Sequence, residues 1–93
     1  MNARLLAPLM AAGILITSAA SASIPYIKQC ELYGDDLRQA VDEIHFHNGT
    51  PEFVLEAQRQ ARTDCLMGNA ERGVEVLKAA IVQLGIPLRD HSN

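Results

Sequence analysis

The sequence has little that carries chemistry. Its two cysteines, Cys30 and Cys65, are not spaced as C-x-x-C, which excludes a thioredoxin-like redox pair and a zinc knuckle. It has no nucleophile-elbow motif, no Gly-rich phosphate loop and no H-E-x-x-H, so the signatures of common hydrolases, nucleotide binders and metalloproteases are missing. Positive charge is not in excess, because eight Lys and Arg stand against eleven Asp and Glu. Such a chain has no electrostatic footprint for nucleic acid or anionic lipid. No alternating strand pattern and no internal repeat occurs, which argues against β and solenoid folds.

What is present begins with the N-terminus. Met1-Asn2-Ala3-Arg4 is short and basic, residues 5–16 read LLAPLMAAGILI, and Ala20-Ser21-Ala22 fits a small-residue cleavage site. This pattern predicts a signal peptide over residues 1–22, cut after Ala22 or, as an alternative, after Ala20. The competing reading is a retained membrane anchor, since no charge separates Arg4 from Lys28. Pro8 and the Ser, Thr and Ala of the second half speak against it. No cysteine lies near the cleavage site, as a lipoprotein would need, and the Ala-rich segment looks bacterial. The expected location is the periplasm or the medium. Loss of Arg4 would change the net charge from −3 to −4 over the remaining residues 23–93.

A chain this short buries little apolar surface and is marginal without a staple. An even cysteine count in a small exported chain predicts a Cys30–Cys65 disulfide. Helix geometry agrees. If residues 48–50 turn a helical hairpin, the two cysteines sit roughly 28 and 24 Å from the turn at ~1.5 Å per residue, less than one turn apart.

Spacing predicts three helices. From about Pro25 to His47, Tyr26, Ile27, Cys30, Tyr33, Leu37, Val41 and Ile44 trace one face. Glu31, Asp35, Arg38, Asp42 and Glu43 lie opposite, and Gly34 is the weak point where this helix could break. Thr50 as N-cap, Pro51 as first residue and Glu52 in the first turn open a second helix. Its inward face is Val54, Ala57, Ala61 and Cys65. Gly68-Asn69 separates it from a third helix carrying Ala70, Val74, Leu77, Ala80, Ile81 and Leu84. Gly85-Ile86-Pro87 reads as a Schellman-type stop.

The expected fold is therefore all-α: a small helical hairpin tied by one disulfide, with a third helix packed across it. Residues 23–85 form the three-helix domain and residues 86–93 a flexible tail. The expected core is Ile27, Tyr33, Leu37, Val41, Ile44, Phe53, Val54, Leu66, Leu77, Ile81 and Leu84.

No residue earns a catalytic, cofactor or metal role. His45 and His47 point about 200° apart on a helix and cannot share a metal. Glu43 and His47 supply two ligands where zinc needs three or four, and His91 lies in the tail. Histidines in a last turn, followed by Asn48-Gly49, are better read as a helix end and a turn. Asn48-Gly49-Thr50 matches a glycosylation acceptor, but Pro51 makes it a poor one. The carboxylate pairs Asp35-Asp36, Asp42-Glu43 and Glu52 with Glu56 suit a solvated helix face. Tyr26 and Tyr33 flank the disulfide in the core or, with Arg59 and Arg62, form a candidate partner surface.

These readings point to an exported, non-enzymatic helical protein that binds another protein as adaptor, inhibitor or accessory subunit. In design it is also similar to small acid-stress periplasmic chaperones: short, helical, with one disulfide tying distant helices. That resemblance implies loosening and client binding at low pH. A third class, a membrane-complex subunit, requires the N-terminal segment to remain. No cofactor and no nucleic acid is expected.

Overall fold

The computed structural model describes residues 23–93. The signal segment expected over residues 1–22 lies outside them. Three helices follow in order: α1 (Tyr26–Ile44), α2 (Glu52–Leu66) and α3 (Ala70–Gln83). No helix among the described residues is long and apolar enough to cross a membrane.

The disulfide between Cys30 and Cys65 joins α1 to α2 with a Cα–Cα separation of 6.4 Å, within the usual range for such a bond. α3 packs along both α1 and α2, whereas α1 and α2 approach each other at few positions. The hairpin is thus held by the staple and by a shared third helix more than by its own interface. At the staple α3 carries Gly73, and a Cβ built there would meet Cys65 Sγ at 2.5 Å and Cys30 Sγ at 3.4 Å. Only glycine lets α3 pass this close under the disulfide.

The helix ends follow local chemistry, with shifts of a few residues from expectation. α1 runs through Gly34 without a break. It stops at Ile44, three residues before the expected end, because His45 takes the left-handed conformation (φ 57°). Histidine is among the residues that tolerate this region, and Gly49, also at positive φ, completes the turn later. Pro25 and Pro51 sit one position before their helices rather than inside them, and no side chain caps either N-terminus, so Thr50 is not the N-cap. α3 ends as expected: Gly85 N–H donates to Val82 O at 2.9 Å and Ile86 N–H to Ile81 O at 3.3 Å, the two bonds of a Schellman motif. α2 ends similarly, with Asn69 N–H donating to Asp64 O at 2.8 Å across Gly68.

The core is built of Tyr33 and Leu37 from α1, Val54, Ala57 and Ala61 from α2, and Val74, Leu77, Ala80 and Ile81 from α3. Val41, Phe53 and Leu84 pack at its edge. Three expected core residues lie outside: Ile27 (59 % exposed), Leu66 (76 %) and Ile44 (37 %). The reason is geometric. With α3 covering both helices from one side, each inward face narrows to a stripe, and residues one step around the helix remain in solvent. Small residues fill the gap instead, as Ala40, Ala57, Ala61 and Ala80 are all buried.

The tail also differs from expectation. Residues 86–93 fold back along α1: Ile24 N–H donates to Ser92 O at 2.9 Å, and His91 N–H donates to the Tyr33 hydroxyl at 2.9 Å. The His91 ring meets Tyr33 edge-on, with centroids 4.7 Å apart, and its Nε2 lies 2.7 Å from Asp36 Oδ2.

Candidate functional site

α3 covers only one side of the α1–α2 pair. On the other side a groove of about 540 Å³ runs between α1 and α2. Its walls hold Ile27, Glu31, Gly34 and Arg38 from α1 and Gln58, Arg62 and Leu66 from α2. Cys30, Cys65, Ala61 and Leu77 also line it, and of these Cys30, Ala61 and Leu77 are buried core residues. Met67, next to Leu66 at the end of α2, is 73 % exposed. Leu66 and Met67 are adjacent, so a helix that packs the half-buried Cys65 against the core cannot turn both of them inward. The result is an apolar edge at the disulfide end of the molecule.

Charge around the groove is mixed. Glu31 is held by Lys28, with Nζ to Oε1 at 3.1 Å. Arg38 pairs with Asp35 one turn away on α1, and both side chains are more than half exposed. Exposed pairs of this kind contribute roughly 0–1 kcal/mol. Arg62 has no ion-pair partner among the described residues.

The four residues expected to form a partner surface separate. Tyr33 is 1 % exposed and belongs to the core. Tyr26 is 45 % exposed, but it lines a hollow with Ile24, Pro25, Gln29 and Ser92, beside the tail. Arg59 is paired with Glu56 on the outer face of α2. Arg62 alone reaches the groove. The residues that sequence reasoning missed are Ile27, placed in the core by its spacing, Leu66, also counted in the core, and Arg38, placed on the solvated face. The adjacency of Leu66 and Met67 was the one signal that could have exposed the edge.

The buried polar groups serve the fold. Asp64 is buried, accepts from Gln60 Nε2 at 3.2 Å and faces Arg72 Nε at 3.5 Å across the α2–α3 turn. Gln29 is buried and donates to Ile24 O at 2.7 Å, holding the start of α1. Lys78 Nζ lies 5.8 Å from the centroid of the Tyr33 ring, within cation–π range. His45 and His47 are exposed and lie beyond the end of α1. Among the described residues no group of three or more His, Cys, Asp or Glu is placed to hold a metal ion.

No family model, no curated protein and no solved structure matches the chain. The functional reading therefore rests on the molecule's own geometry.

Proposed function

We propose that the protein is exported and acts by binding another protein, as an adaptor, inhibitor or accessory subunit, without catalysis of its own. The observation that carries this reading is the exposed apolar edge of Ile27, Leu66 and Met67 beside the disulfide. Contiguous apolar surface on a small monomer is costly and marks interaction sites. Here it sits on a stapled scaffold, which limits the ordering cost of association. The disulfide suits an oxidising compartment outside the cytosol, in keeping with the signal-like residues 1–22.

The test is chemical cross-linking of the native envelope and medium fractions, followed by affinity recovery and mass spectrometry. A partner recovered repeatedly with cross-links to α1 or α2 is the expected result. Repeated recovery of the protein alone would sink the reading. The same spectra give the native N-terminus: a start at Ser23 or Ser21 supports export by cleavage, and retention of residues 5–16 supports the anchored-subunit alternative.

A second reading, a chaperone active in acid, is favoured by one feature. Asp64 joins the α2–α3 turn and Asp36 holds the tail through Arg89 and His91. The chain carries eleven Asp and Glu, and at pH 2–3, below the ordinary carboxylate range, an acidic chain becomes net positive while its disulfide remains. This reading expects apolar dye binding and suppression of client aggregation at that pH. A chain that protects no client there excludes it.

A further inference from the structure

We propose that the groove between α1 and α2 receives an amphipathic helix of a partner protein whose apolar stripe is flanked by carboxylates. This deepens, and rests on, the reading of the protein as a partner-binding module.

Shape supplies the first argument. α1 and α2 meet at few positions apart from the staple, so the trough between them is open opposite α3. A Cβ added at Gly34 on its wall would meet nothing within 4 Å, and Ala61 adds a second small residue along its length. A helix backbone can approach closely there, with Ile27 and Leu66 on either wall to meet its apolar stripe, as in helix-in-groove recognition.

Charge supplies the second. The chain as a whole is acidic, with net charge −3, yet the groove places an arginine on each wall, Arg38 and Arg62. The groove's one acid, Glu31, already has Lys28. Arg62 has no carboxylate partner among the described residues. Arg38 holds Asp35 in an exposed pair that is readily exchanged. Carboxylates beside the incoming stripe complete both arginines.

The same charges argue against other occupants. In a two-fold dimer the patch meets a second copy of itself, whose acids Glu31 and Asp35 are already paired with Lys28 and Arg38. The chain's own residues 1–22 are apolar enough, but they contain no Asp or Glu.

The test uses three labelled helical peptides that share one leucine stripe and carry Glu, Gln or Lys at the flanking positions. Each is titrated into the oxidised protein by fluorescence polarisation, with amide NMR mapping. The Glu peptide is expected to bind about tenfold or more tighter than the Lys peptide, to weaken as salt rises, and to shift the amides of Ile27, Gly34, Ala61 and Leu66. Arg62→Glu should reverse the order of Glu and Lys peptides, and Ile27→Gln should weaken all three. Both positions are exposed, and circular dichroism verifies that each variant is folded. Equal affinities unmoved by Arg62→Glu, shifts confined to the α2–α3 face, no binding at about millimolar protein, or concentration-dependent self-association through these residues would each overturn the proposal. If the groove fails while the cross-linking experiment recovers a partner attached elsewhere, the partner-binding reading stands without it.

Discussion

The two flanks of α1 make a useful contrast. On one, the tail lies across Tyr33 and Asp36, with His91 donating to the tyrosine hydroxyl and Ser92 O accepting from Ile24 N–H. On the other, Ile27, Gly34 and Arg38 face an open groove. The closed flank is polar and is satisfied by the chain's own last residues. The open flank has apolar walls and a rim of mixed charge that includes Arg38 and Arg62, and the chain supplies nothing among the described residues to cover it. Both flanks border the same core stripe, so the difference does not come from α1 alone. It comes from where the tail returns and from how far the disulfide lets α2 approach.

The largest effect should follow from removing the staple. Replacing both cysteines with alanine is expected to cost roughly 3–4 kcal/mol by the loop-entropy account, for a bond joining residues 35 apart. Urea unfolding measures it. Peptide binding in the groove should fall further than global stability predicts, because few other contacts fix the α1–α2 spacing. A groove that binds unchanged without the bond would break the contrast.

Gly73→Ala comes next. Its Cβ would meet Cys65 Sγ at 2.5 Å, so a loss of about 1–3 kcal/mol is expected in the oxidised protein. In the Cys-to-Ala background most of that penalty should vanish, since both Sγ atoms are gone and of the close neighbours only Ala61 O at 3.3 Å remains, and alanine favours the helix by about 1 kcal/mol. Equal penalties in both backgrounds, read as melting-temperature shifts, would show that the disulfide does not press on α3.

Removing residues 89–93 tests the closed flank. It deletes the His91 bonds and the Arg89–Asp36 pair at 3.8 Å, for an expected loss of about 1–2 kcal/mol. Tyr33 should become reactive to iodination while the groove residues keep their amide shifts. If the groove responds as strongly as Tyr33, the two flanks are not independent.

The smallest effect is a titration within the tail. Hydrogen bonds from the Ser92 hydroxyl, and then from the Ser92 backbone, hold the Asp90 carboxyl below its ordinary value of 3.8. A depressed folded value means that this stabilisation is present above pH 3.8 and is lost as pH falls through the folded value. The Ser92 amide shift should therefore move with a midpoint below 3.8. A midpoint at or above it would show that the turn is not formed.

Much of the architecture was legible in the order of residues. Three helices, the Cys30–Cys65 bond and the Gly85 stop follow from spacing, parity and φ-tolerant glycine. The candidate site was less legible. Periodicity assigned Ile27 to the same inward face as Cys30, and Leu66 was counted in the core beside Cys65, but periodicity reports direction around one helix and not how wide a stripe the neighbours cover. The tail was missed for a related reason: Arg89, Asp90, His91 and Ser92 have no apolar pattern, and their anchors, Asp36, Tyr33 and Ile24, are distant in sequence.

The sequence by itself determined the local structure: helix periodicity, the glycine turns and a cysteine pair at matched heights along two helices. Each depends on interactions within a few residues or on simple chain geometry. Tertiary structure alone decided that α3 fits beneath the disulfide at Gly73, that the tail closes one flank of α1 and that the other flank stays open. Those outcomes depend on close packing between elements far apart in the chain, where a single Cβ or one turn of helix decides what fits.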